Sequence, residues 1–155
     1  MTSMSYVDPS RSIVVGHSTG GLGAVAATVK PPLNLVAGIT FAGNNGSQYD
    51  IGKLDSVCDA SDLIKAFATL GSGSRIPMLW IYAQNDHRMG PALAERYYQA
   101  FSGAGGQADF EMAPPRRTPT ATSSIRCLIK WRSGRLILMN SLPRNTSLLF
   151  HRRLS

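Results

Sequence analysis

The pentapeptide Gly16-His17-Ser18-Thr19-Gly20 constrains this chain more than any other segment. It follows RSIVVG (11–16), a β-branched run that predicts a short buried strand. It precedes GLGAVAATV (21–29), whose small residues predict a helix packed closely on a sheet. A serine between strand and helix, flanked by glycines, has the pattern of a nucleophile elbow. Such a turn holds its serine in a strained backbone, and a Cβ on a neighbouring residue would clash. The expected elbow is Gly16, His17 and Gly20 around a nucleophilic Ser18. The turn would lift the Ser18 hydroxyl to the carboxyl end of the sheet, where the following helix N-terminus favours negative charge. The Thr19 N–H would then supply half of an oxyanion hole. Glycine and serine are common, so the strand before and the helix after carry most of the weight. The competing reading is a plain Gly-rich strand–helix turn.

The rest of the first 115 residues repeats the alternation. Pro31-Pro32 stop the first helix. LVAGITFA (35–42) predicts a second strand, and the Gly/Asn/Ser-rich stretch 43–58 a loop. Asp59 or Ser61 can cap a helix over DLIKAFATL that ends at Gly71. IPMLWIYA (76–83) predicts a third strand. Pro91 suits the first turn of a helix over ALAERYYQAF, and QADFEM (107–112) predicts a fourth strand. Strands alternating with helices imply a parallel α/β sheet covered on both faces.

An acid is expected at the carboxyl edge of such a sheet, and Asp86 lies just past the third strand. The order serine then acid suits a Ser–His–acid triad. A turn or helix-capping aspartate is the ordinary alternative. Asp50, Asp55, Asp59 and Asp62 read as loop and capping residues. The triad also needs a histidine after the acid. Of the three histidines, His17 precedes the serine, His87 is tied to the acid's own loop, and His151 lies near the end. None occupies the loop after QADFEM, where the base belongs.

Charge divides the chain at about residue 115. Residues 1–115 hold seven Lys/Arg and all nine Asp/Glu, whereas 116–155 hold nine Lys/Arg and no acid. The overall formal charge of +7 therefore belongs to the tail. A basic tail containing Trp131 can serve nucleic acid or anionic lipid. The arginines follow no helical stripe and no nucleic-acid module accompanies them, so neither nucleic acid nor membrane is expected as a partner. The stretch IRCLIKWRSGRLILM can pair as a hairpin around Ser133-Gly134 but continues no βαβ pattern. No long apolar run and no secretory leader are visible, and Cys58 and Cys127 lack metal-ligand spacing. The expectation is a cytoplasmic protein with reduced thiols and no metal or cofactor. Oligomeric state stays open at this level.

Four segments carry a resemblance: VDPSRSIVVGHSTGGLGAVA, FAGNNGS, PMLWIYAQNDHRMGP and AGGQADFEMAPP. Over residues 6–115 the chain resembles the dienelactone-hydrolase-like branch of the α/β-hydrolases. The resemblance implies an incomplete three-layer α/β sandwich with a mostly parallel sheet that starts at the nucleophile strand. It implies Ser18 as nucleophile, Asp86 as acid, and a small ester or acyl substrate for a complete relative, with no cofactor. The branch usually carries cysteine in the elbow, so Ser18 points to an esterase-like or peptidase-like relative. The strands and oxyanion loop that precede the elbow in the family have no counterpart here. In the family, the two prolines are followed by an Asp-Gly-His loop that supplies the base. Here Pro114-Pro115 lead into RRTPTATSSI. Codons for Pro119-Thr120-Ala121-Thr122-Ser123 can be read one frame over as Asp-Gly-His-Glu. The domain reading is thus 1–115 as the C-terminal half of a hydrolase domain, and 116–155 as an out-of-frame, poorly ordered basic tail. A genuine basic extension is the alternative. The function expected is serine hydrolysis of acyl bonds, impaired in this chain. The alternatives are a non-enzymatic basic-tailed binding protein and a subunit that complements a missing half.

Overall fold

A computed structural model describes residues 8–45, 60–86, 89–115, 127–132, 135–140 and 148–149. The apolar, partly β-branched runs form strands where they are expected: β1 (Ser12–His17), β2 (Leu35–Phe41), β3 (Met78–Ala83) and β4 (Ala108–Ala113). They lie parallel in the order β1-β2-β3-β4. Parallel neighbours need crossovers, and helices supply them: α1 (Thr19–Ala27), α2 (Ala60–Gly73) and α3 (Pro91–Gly103). The register aligns Gly16, Thr40, Trp80 and Phe110 across the sheet. All four strands therefore end at a common carboxyl edge, just beyond the residues of the elbow.

Alternation along β3 divides its six buried residues between two faces. Met78, Trp80 and Tyr82 enter the core shared with Val25 of α1, Leu63 and Phe67 of α2, and Leu93, Tyr97 and Phe101 of α3. Leu79 and Ile81 alternate to the other face and are buried too, as an interior parallel strand requires. Aromatic rings fill the helix-covered side. Phe67 packs on Trp80 and on Tyr97 with centroids 5.0 Å apart, and Trp80 packs on Phe101 at 5.2 Å. These tilted contacts add to the area each ring removes from water.

One helix runs past its predicted stop. α2 continues through Gly71 to Gly73. Gly71 faces α3, where a Cβ would fall on the Phe101 carbonyl oxygen. Its glycine therefore answers a close helix–helix approach rather than a C-cap.

The chain separates into two compact units, Met1–Thr122 and Ser123–Ser155. In the second, β5 (Cys127–Arg132) and β6 (Arg135–Asn140) pair antiparallel, with Arg132 opposite Arg135. This pairing leaves the two residues 133–134 between them, at the place where the sequence suggests a hairpin. β7 (Leu148–Leu149) adds to β6. The expectation of a poorly ordered tail concerns a stretch in which 116–126, 133–134, 141–147 and 150–155 lie outside the described residues. Among the described residues, no helix is long and apolar enough to cross a membrane.

Candidate active site

A single residue joins β1 to α1, and that residue is Ser18. To reverse direction in so short a span it adopts φ 56° and ψ −125°, a left-handed conformation that L-residues seldom take. Four backbone hydrogen bonds fix it there. Its N–H donates to the Phe41 carbonyl at 3.0 Å. Its carbonyl accepts from the N–H groups of Gly21 (2.8 Å), Leu22 (3.2 Å) and Asn44 (3.1 Å). Strain of this kind persists only where the surroundings over-determine the conformation. The Ser18 side chain does not cap its own helix. With the Gly21 and Leu22 donors committed to Ser18, the N–H groups of Thr19 and Gly20 are the first-turn donors without an acceptor inside α1.

The glycines divide unevenly. A Cβ at Gly16 would collide with the Gly20 carbonyl, so the expected steric demand is met there. At Gly20 a Cβ would meet nothing within 4 Å. The close approach lies one residue later. A Cβ at Gly21 would stand 2.6 Å from the Thr40 Oγ1 and 2.8 Å from the Gly43 Cα. The pentapeptide pattern thus places the second glycine one position too early for its steric role in this chain. His17, the last residue of β1, is exposed.

Asp86 lies three residues past β3 and is 5% exposed. Its N–H donates to the Ala83 carbonyl (3.1 Å), and its carbonyl accepts from Gly90 (3.0 Å). Its Oδ1 accepts the Met89 N–H at 3.3 Å. The carboxylate therefore shapes the turn before α3, whose N-cap is Gly90, while standing at the same sheet edge as Ser18. β2 separates the strands that carry the two residues. Two strand spacings amount to about 9–10 Å between the strands themselves. His87 and His151 lie outside the described residues, as do Arg88, Asp50, Asp55 and Asp59. Asp62 is exposed on α2 and pairs with Lys65 at 2.9 Å.

The loop after β2, which lies in the FAGNNGS segment, adds groups to which the sequence assigns no role. Ala42, like Ser18, is a non-glycine residue with positive φ, at 47°, and its N–H donates to the Ile81 carbonyl at 2.9 Å. Asn44 is buried, and its Nδ2 donates to the Ala42 carbonyl at 2.8 Å. The Tyr82 hydroxyl donates to the Gly43 carbonyl at 2.9 Å. Tyr82 is 1% exposed, and burial pushes its phenol pKa far up, with Tyr97 and Asp86 adding to the rise. Only the combination of buried Tyr and a Gly/Asn-rich loop hints at this arrangement in sequence.

No protein-family model matches the chain, and no curated protein does so either. Solved structures match its fold. An acylaminoacyl peptidase in complex with Z-Gly-Gly-Phe-chloromethyl ketone aligns with a TM-score of 0.51 and 20% identity, over 77% of this chain and 21% of its own. A protein of Bacteroides ovatus assigned as a dipeptidyl aminopeptidase IV aligns with a TM-score of 0.52 and 21% identity, over 72% of this chain and 17% of its own. A protein of Klebsiella pneumoniae assigned as a dienelactone hydrolase aligns at 0.49 and 18%, over 69% and 40%. The chain spans less than half the length of each of these structures. The parallel four-stranded sheet with its crossover helices is thus part of an α/β-hydrolase-like fold.

Proposed function

We propose that the chain is the nucleophile-bearing part of a serine hydrolase that acts on carboxylic esters or related acyl bonds. The observation that carries this reading is the left-handed Ser18, the only residue between β1 and α1. Nothing in backbone stability favours a side chain there. A hydroxyl at the sheet's carboxyl edge, backed by a helix N-terminus, suits attack on a carbonyl. Ser18 Oγ is the nucleophile. The Thr19 N–H donates to the oxyanion that forms on the substrate oxygen. In a complete relative, the acid at Asp86, two strands away, would hold a histidine by its Nδ1–H, and that imidazole would take the serine proton.

His17, the histidine among the described residues, is exposed on β1 and precedes the serine. No histidine occupies the loop after QADFEM, where the base belongs, so turnover by this chain is expected to be low, because losing the base alone costs about 10⁴–10⁶-fold in rate. A fluorophosphonate probe, followed by intact mass and peptide mapping, tests both parts. One adduct is expected, at Ser18, forming slowly and absent from Ser18→Ala. No adduct on the wild type at millimolar probe, or one that survives in Ser18→Ala, would sink the nucleophile assignment. Labelling as fast as in a complete triad enzyme would sink the expectation of impairment.

A further inference from the structure

A line of hydrogen bonds runs from the core to the back of the elbow. It starts at the Tyr82 hydroxyl, which donates to the Gly43 carbonyl at 2.9 Å. That carbonyl and the Asn44 N–H belong to one planar peptide group. The Asn44 N–H donates to the Ser18 carbonyl at 3.1 Å. That carbonyl, in turn, shares a peptide group with the Thr19 N–H. Hydrogen bonds in series polarise one another. Each donor that pulls on a carbonyl oxygen makes the N–H at the far end of the same peptide a better donor.

We propose that Tyr82 is a positioning residue for the oxyanion site, holding and polarising the Thr19 N–H through the Gly43–Asn44 and Ser18–Thr19 peptides. The proposal rests on the reading of Ser18 as nucleophile. Three features of the structure support it. The Ser18 carbonyl takes three donors, and in a trans planar peptide a fixed carbonyl fixes the direction of the opposed N–H. The line joins Ser18 to the turn at Ala42, the two non-glycine residues with positive φ among the described residues. The approach it needs is possible only because Gly21 and Gly43 lack side chains, with a Cβ on Gly21 reaching 2.8 Å from the Gly43 Cα. Burial also keeps the Tyr82 phenol protonated far above neutral pH, so it remains a donor wherever a serine hydrolase operates.

Amide spectra of the ¹⁵N-labelled full chain test the line directly. Tyr82→Phe removes the terminal donor and keeps the ring. The control is Tyr97→Phe, which removes a second buried hydroxyl that has no hydrogen-bond partner among the described residues. Tyr82→Phe should move the Asn44 and Thr19 amide protons upfield together, and Tyr97→Phe should move neither. Fluorophosphonate labelling of Ser18 should slow by about tenfold or less in Tyr82→Phe, since a donor is weakened rather than removed. Labelling in Tyr97→Phe should match the wild type. A shift at Asn44 without one at Thr19, or no shift at either, overturns the proposal. Should Tyr82→Phe fail to fold, fluorotyrosine incorporation makes the phenol a stronger donor, and both amide protons must then move downfield. If wild-type Ser18 takes no label, the nucleophile reading fails, while the amide shifts still judge the relay.

Discussion

Two junctions at the carboxyl edge of the sheet perform the same turn with opposite chemistry. β1 enters α1 through Ser18 alone, and β3 enters α3 through residues 84–90. Each helix starts from a residue with positive φ, 56° at Ser18 and 62° at Gly90, and neither caps its helix with a side chain. At Gly90 the missing Cβ makes that conformation accessible, and Pro91 continues with its φ preset for a helix. At Ser18 the same sign of φ is held by an L-residue at a cost of about 1–3 kcal/mol. The longer junction has room to satisfy its turn locally through Asp86 and Met89. The one-residue junction is instead held from outside, by Phe41 and Asn44 of the neighbouring strand and loop. The comparison separates a turn built for folding from a turn in which a side chain is retained against the backbone's preference.

The largest effect expected from breaking this contrast is at Gly16. Gly16→Ala would press a methyl group into the Gly20 carbonyl, which is backbone and cannot swing aside. A loss of about 3 kcal/mol or more is expected in urea melts, together with loss of Ser18 labelling. Wild-type stability in that variant would mean that the elbow relaxes freely, and the contrast between the junctions would collapse. Next in size is Gly90→Ala, which forces an L-residue into φ 62°, ψ 142° and should cost about 1–3 kcal/mol. Its Ser18 labelling should persist, because the strained elbow is untouched. The smallest effect has the opposite sign. Ser18→Gly relieves strain but adds freedom to the unfolded chain, so a net gain of about 0.5–1 kcal/mol is expected. Labelling should vanish in the same variant. A loss of stability there would show that the serine side chain makes contacts outweighing its strain, and the two junctions would no longer differ in kind.

Much of this was legible in the residues themselves. The β-branched run before Gly16, the small residues after it and the recurring strand–helix punctuation place every strand of the first unit within a residue or two. Asp86 is legible as well, because position after a strand fixes it at the carboxyl edge. Three features were not. Gly71 reads as a helix stop, but the space it leaves is filled by the Phe101 backbone of another helix. Gly20 reads as the second elbow glycine, yet the crowded position is Gly21, because Thr40 and Gly43 approach there from β2 and its loop. Tyr82 can be read along the chain only as a core or pocket-bordering aromatic, since nothing local distinguishes a hydroxyl with an acceptor from one without.

The chain's own order determined the alternation of elements, the tight Ser18 turn and the residues at the sheet edge. These follow from local sterics, period and hydrophobicity, which act over a few neighbouring residues. Only the tertiary structure decided what stands behind the turn. The lateral register of β1, β2 and β3 brings the Tyr82 hydroxyl to Gly43 and the Asn44 N–H to Ser18. Such contacts join residues tens of positions apart, and their partners are set by packing between strands rather than by any spacing along the chain.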